Sequence, residues 1–141
     1  SSSLSSSESK NEGLFALFDA NGQIGFVDKT NILCDYITIV KDGAGVGRVR
    51  ILPSKTNFIS TMGAILPNKD IDLYFLYNIL KQKDFLQSTN GSTIPHVYFS
   101  EYGKDIVMTP TISEQRKLGA LFTAIDHIIT LHQRKHLSIL I

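Results

Sequence analysis

Apolar and polar positions change rhythm along this chain. Over residues 14–66 the apolar residues come in short, partly alternating runs, the period of strands. Residues 15–20 read as one strand and Ile24, Phe26 and Val27 as its partner, with Asn21-Gly22 between them. That dipeptide predicts a tight hairpin, because Asn and Gly tolerate positive φ. Tyr36-Ile37-Thr38-Ile39-Val40 is rich in β-branched residues, and 46–52 and 58–66 predict two further strands, ended by Pro53 and Pro67.

Between 70 and 87 the period lengthens. Leu73, Leu76, Tyr77 and Leu80 fall at i, i+3, i+4 and i+7, an amphipathic helix that Asp70 or Asp72 can cap and that 88–92 stops. Residues 94–109 return to an extended pattern through Val97, Tyr98 and Phe99, then Ile106, Val107 and Met108, and Pro110 closes it. The last segment is the most regular. Ser113 is placed to cap a helix with Glu114 in its first turn, and Leu118, Leu121, Phe122, Ile125, Ile128, Ile129 and His132 follow at 3-4 spacing. A helix over 113–137 is about 37 Å long, the full diameter of the domain before it. That domain covers about half of such a stripe. The remainder predicts pairing with a second helix in the manner of a coiled coil, the other arrangement being a helix folded wholly onto the body. Residues 137–141 are apolar for a chain end, which fits packing on a partner or the point where a longer chain was cut.

The expected fold class is therefore α+β: a β-rich domain with a mid-domain helix over 14–112, followed by a long C-terminal helix of coiled-coil type over 113–137. Residues 1–13 stand apart. Seven of the first ten are Ser, and burial there cannot offset the entropy of ordering, so a flexible lead-in is expected, with an ordered surface loop as the alternative.

Composition changes this picture little. With 43% apolar residues in 141, the chain can bury a core of its own. Fourteen Lys and Arg against thirteen Asp and Glu give +1, so the total charge makes no case for nucleic acid or membrane. Cys34 is the one cysteine, which excludes an internal disulfide and fits a reducing compartment. No apolar run spans a bilayer, and the start at Ser1 shows no signal-peptide pattern. These point to a soluble cytoplasmic protein. The chain begins without methionine, as a piece of a longer one does.

Local charge is more informative. Gly43-Ala44-Gly45-Val46-Gly47-Arg48 looks like a phosphate loop but fails on spacing: it leads into strand-like residues, and no Lys with Ser or Thr follows the last glycine. It predicts a glycine-rich turn and no cofactor. Arg48 and Arg50, two apart, share one face of the following strand, while Val49 and Ile51 face the core. With Lys41 and Lys55, residues 41–55 hold four basic side chains and one acid, Asp42. That is a net of +3 in a chain of +1, which leaves −2 for the rest. Paired arginines suit phosphate oxygens or guanine edges; a solvated strand face is the plainer reading. The polar loop Asn90-Gly91-Ser92-Thr93-Ile94-Pro95-His96 offers small donors and acceptors for the same purpose, or is a simple connection. His132 and His136 share a helix face, but two ligands do not make a metal site, and no catalytic set emerges.

Several strings converge on one family. Ile112-Ser113-Glu114-Gln115-Arg116-Lys117-Leu118-Gly119, with 125–135 after it, closely resembles a half-repeat of the specificity subunit of type I restriction–modification enzymes. Residues 42–49 resemble the glycine turn of that family's target-recognition domain, 90–97 its loop after the mid-domain helix, and 19–25 its early hairpin. Members usually carry two recognition domains and two long helices. This chain holds one of each and lacks the block that usually opens a recognition domain, so the resemblance implies a half-subunit, a C-terminal remnant or an engineered domain.

The resemblance implies a non-catalytic chain that reads one half of a split site in double-stranded DNA. Lys41, Arg48, Arg50 and Lys55, and on a second edge Asn90, Ser92, Thr93 and His96, are then the candidate DNA contacts. It implies a homodimer through the C-terminal helix, and docking there of the modification (methyltransferase) subunit and, through it, the restriction subunit. An assembly scaffold that acts through helix–helix contacts and barely touches DNA is the rival, which the near-neutral charge fits.

Overall fold

The structure, a computed structural model, describes residues 3–85 and 96–138. Two three-stranded sheets are stacked against each other, and two helices pack beyond them. The first sheet has the order β2-β1-β5, with β1 (Phe15–Phe18), β2 (Gln23–Val27) and β5 (Thr56–Phe58). β1 runs antiparallel to β2 and parallel to β5. The second sheet is antiparallel throughout, in the order β4-β3-β6, with β3 (Tyr36–Val40), β4 (Val49–Leu52) and β6 (Met62–Ile65). Helix α1 is Leu73–Gln82, α2 is the single turn Phe99–Tyr102, and α3 is Ile112–Ser138, about 40 Å of continuous helix.

β3 explains the layering. All five of its residues are buried, because both faces of its sheet are covered. On one face Ile37 and Ile39 meet Leu80, Phe85 and Val97, with Val49 and Ile51 of β4 at the margin. On the other, Tyr36, Leu52 and Met62 meet Phe58, with Phe18 and Ile59 against them. A buried tyrosine needs a partner for its hydroxyl. Tyr36 Oη lies 3.0 Å from Thr56 Oγ1, which lies 2.7 Å from the Pro53 carbonyl oxygen. Burial holds the Tyr36 phenol above its ordinary range, with the Thr56 bond opposing.

Asp72 caps α1, accepting from the Phe75 amide at 2.9 Å. The cap of α3 is Thr111, two residues before the expected Ser113. The Glu114 carboxylate accepts from the Thr111 amide at 3.1 Å and from its hydroxyl at 2.7 Å, a reciprocal capping box that lowers the Glu114 carboxyl below its ordinary range. The start of α3 is pinned to α1. The Gln115 side chain accepts from the Asp72 amide at 2.9 Å and donates to the Asp70 and Pro110 carbonyls at 3.1 and 2.9 Å. One turn on, a Cβ at Gly119 would stand 2.9 Å from the Phe75 nitrogen, so only glycine permits this approach of the two helices.

Three expectations are corrected. Residues 3–13 do not form a loose lead-in over their described length. Ser6–Glu8 is a 3₁₀ turn closed by a Ser5–Glu8 capping box, and Lys10 bridges Phe26 of edge strand β2. Gly25 permits this, since a Cβ there would fall 2.0 Å from Ser9 Oγ. Among the described residues of 94–109 there is no strand. Phe99–Tyr102 coils into α2 with Tyr102 edge-on against Phe85 at 5.5 Å, and Ile106 and Met108 are 93% and 92% exposed, with no strand edge beside them. The hairpin at Asn21-Gly22 forms, but neither residue has positive φ. Asp19 makes the turn instead, its carboxylate accepting from the amides of Asn21 and Gly22 at 2.7 and 2.9 Å.

Candidate nucleic-acid interface

The link from β3 to β4 is built by three glycines. Gly43, Gly45 and Gly47 have φ of 84°, 85° and 82°, a region that other residues enter only with strain. This is the glycine-rich turn the spacing predicts, and it delays β4 until Val49. Two bonds close it, from the Gly47 amide to the Val40 carbonyl at 2.8 Å and from the Arg48 amide to the Gly45 carbonyl at 2.9 Å.

Arg48 and Arg50 then emerge on one side of the sheet, as the alternation requires, with Val49 and Ile51 packed on the other. Their guanidinium groups do not stand alone in solvent. Arg48 Nη1 donates to the Ala20 carbonyl at 3.0 Å, and Arg50 Nη2 donates to the carbonyls of Ala20 and Asn21 at 3.2 and 3.3 Å. The arginine pair therefore ties the β1–β2 turn to the glycine loop. This contact has no signal in the local pattern, because a carbonyl oxygen suits a guanidinium as well as a phosphate does.

The second expected edge converges on the same end of the molecule. The Val97 amide donates to the Lys41 carbonyl at 3.0 Å, and His96 Nδ1 contacts the Asp42 carboxylate. The His96 ring stacks on Tyr98 at 5.9 Å, and Tyr98 and Phe99 are both exposed. Burial raises the Tyr102 phenol above its ordinary range, which keeps it neutral. Lys41, Arg48, Arg50 and His96 are thus gathered at one end. Lys55 is not. It sits beyond the other end of β4, roughly 13 Å of strand away, at φ 58° in the turn before β5. Asn90, Ser92 and Thr93 lie outside the described residues. Sequence reasoning missed the part played here by the 19–22 turn and by the aromatic group Tyr98, Phe99 and Tyr102.

The stripe predicted on α3 is present but unequally covered. Leu118 is half-buried, whereas Leu121, Phe122, Ile125, Ile128, Ile129 and His132 are exposed. Farther along the helix the Lys81–Asp126 ion pair, at 2.5 Å, ties α3 to α1. Among the described residues no helix is long and apolar enough to cross a membrane, and no three His, Cys, Asp or Glu side chains come together to hold a metal ion.

Comparison with known proteins places this geometry. The family described as the type I restriction modification DNA specificity domain matches over residues 3–140. A type I restriction enzyme specificity subunit, MjaVIII of Methanocaldococcus jannaschii, is 29% identical over 96 residues, which span 66% of this chain and 22% of that protein. The crystal structure of the S subunit of a type I restriction-modification system from M. genitalium superposes with a TM-score of 0.61. The match has 23% identity and covers 88% of this chain and 34% of that one, so it supports the fold. The chain spans about a fifth of the curated relative and a third of the solved one. It carries the glycine loop, the hairpin and the long helix in the expected order, and it belongs to the family of type I restriction modification DNA specificity domains.

Proposed function

We propose that this chain is a non-catalytic, cytoplasmic DNA-reading unit, the half-subunit specificity component of a type I restriction–modification system. The observation that carries this reading is the family match across 3–140. The positive charge that Lys41, Arg48 and Arg50 concentrate around β3 and β4 supports it. In this reading the head, 14–112, contacts one half of a split site in double-stranded DNA. The helix, 113–137, pairs with that of a second copy and docks the modification subunit, which brings the restriction subunit. Exposure of Ile125, Ile128 and Ile129 on α3 supports a protein partner there.

The test is duplex binding by the full chain across a salt series, with and without modification subunit. Sequence-selective binding is expected, its log affinity falling linearly with log salt concentration at about 0.9 per phosphate contact. Binding that is absent under both conditions would overturn the reading in favour of a scaffold. For the pairing, Ile125→Asp is expected to yield folded monomers in sedimentation, since Ile125 is exposed in the single chain. A variant that stays dimeric would place the partner elsewhere.

A further inference from the structure

We infer that Asn21 reads a base edge and that Arg48 and Arg50 act through it, as positioning residues rather than as DNA contacts. The inference rests on the DNA-reading proposal above and deepens it. The 19–22 turn is held by far more than a hairpin needs. The Asp19 carboxylate takes the Asn21 and Gly22 amides, the Asp19 amide donates to the Gly22 carbonyl at 2.9 Å, and the two guanidinium groups take the Ala20 and Asn21 carbonyls. The arginines reach across from residues 28 to 30 positions later in the chain. Most main-chain polar groups of the turn are paired, and Asn21 is exposed at its tip.

What this tip offers a ligand is one carboxamide on a fixed backbone. A carboxamide presents a donor beside an acceptor, the complement of N7 and N6 of adenine in the major groove. The hairpin that carries it is formed with edge strand β2, and a two-stranded ribbon is one of the shapes a major groove admits. Fixing the backbone in advance lowers the entropic cost of holding the side chain against a base. A guanidinium bound to carbonyls of its own chain, half-buried in the case of Arg50, has fewer of its five N–H donors and less freedom of orientation left for pairing with guanine. Arg48 is further confined by the glycine loop, since a Cβ at Gly45 would lie 3.0 Å from its guanidinium carbon.

The experiment is selection from a randomised duplex library by the full chain, followed by affinities for the selected duplexes, for wild type, Asn21→Ala, the double variant Arg48→Ala/Arg50→Ala and its conservative counterpart Arg48→Lys/Arg50→Lys. Circular dichroism checks that each is folded. Wild type is expected to select a sequence with an A·T pair that Asn21→Ala no longer distinguishes, losing roughly 5- to 150-fold of discrimination at that position alone. The double alanine variant is expected to relax the same position with its salt slope unchanged, and the lysine variant to restore part of the preference. Asn21→Ala selecting the wild-type sequence with full discrimination would overturn the inference. So would a double variant that weakens every duplex equally and loses about 1.8 from its salt slope, the mark of two phosphate contacts. Wild type selecting no sequence would instead overturn the DNA-reading proposal beneath it.

Discussion

β3 and α3 are both rich in apolar residues, yet the chain treats them oppositely. Every residue of β3 is buried, including Thr38, whose hydroxyl donates to the Arg50 carbonyl at 3.3 Å. Of the residues of α3 whose burial is described, only Gln115 and Gly119 are buried, while leucine and isoleucine remain exposed along its later turns. The strand shows where this fold gets its own stability. The helix shows apolar surface that the described residues of its own chain leave uncovered. Two substitutions of one type sharpen the contrast most. Ile39→Ala, at a position 0% exposed, is expected to cost about 2–5 kcal/mol in denaturant unfolding, from lost burial and the cavity left behind. Ile128→Ala, 64% exposed, is expected to fall within about 0.5 kcal/mol of wild type measured on the monomer. A comparable cost at both sites would make α3 an ordinary core helix and remove the contrast.

Gln115 stands where the two regimes meet. It is 1% exposed, and its carboxamide spends both donors and its acceptor on main-chain groups from before α1 and before α3. Gln115→Leu keeps most of the volume but leaves the Asp72 amide and the Asp70 and Pro110 carbonyls without those partners. The expected cost is about 1–3 kcal/mol by denaturant unfolding, since a buried group stripped of its hydrogen bond pays its desolvation in full. Hydrogen exchange locates the damage: protection should fall in the first turns of α3 and α1 and persist in β3. Loss spread evenly over both sheets would mean that helix and head unfold as one unit.

The same contrast marks what could be read in advance. β1, β2, β3, α1 and α3 follow from period alone, because each carries its apolar residues at the spacing of its element, whether that face is buried, as in β3, or left largely exposed, as in α3. The cap of α3 was present in the sequence as Thr111-x-x-Glu114, the capping-box spacing, though Ser113 is the nearer match to the apolar run. The run 58–66 yields β6 at Met62–Ile65, while β5, at Thr56–Phe58, starts before it and is not legible because its partner is β1, in parallel, and partner choice across that separation leaves no mark on a local pattern. Residues 106–108 are an apolar run with β-branched Ile and Val, as in a strand, but have no described edge to pair with, and propensity alone does not make a ladder. At the candidate interface the positive strand and its orientation were legible. The carbonyls that hold its arginines were not, since hydrogen bonds to a turn some 30 residues away depend on the finished fold.

The smallest expected effect lies at the ion pair between α1 and α3. Lys81 and Asp126 pair at 2.5 Å with both side chains more than two-fifths exposed, and the Lys81 ammonium also lies 5.7 Å from the centre of the Tyr77 ring. The hydrogen bond to Asp126 raises the Lys81 ammonium above its ordinary range, against a smaller opposing effect of desolvation. A raised value in the folded state means that the pair's contribution is fully present below the unfolded lysine value and is lost as pH climbs through the folded one. Exposure and salt reduce it, so Lys81→Ala is expected to cost about 0–1 kcal/mol at neutral pH and low salt. In denaturant midpoints, the gap between wild type and variant should narrow in concentrated salt and close at strongly alkaline pH. A gap that survives both would assign the loss to the lysine stem lying along Tyr77, a packing contribution that neither condition removes.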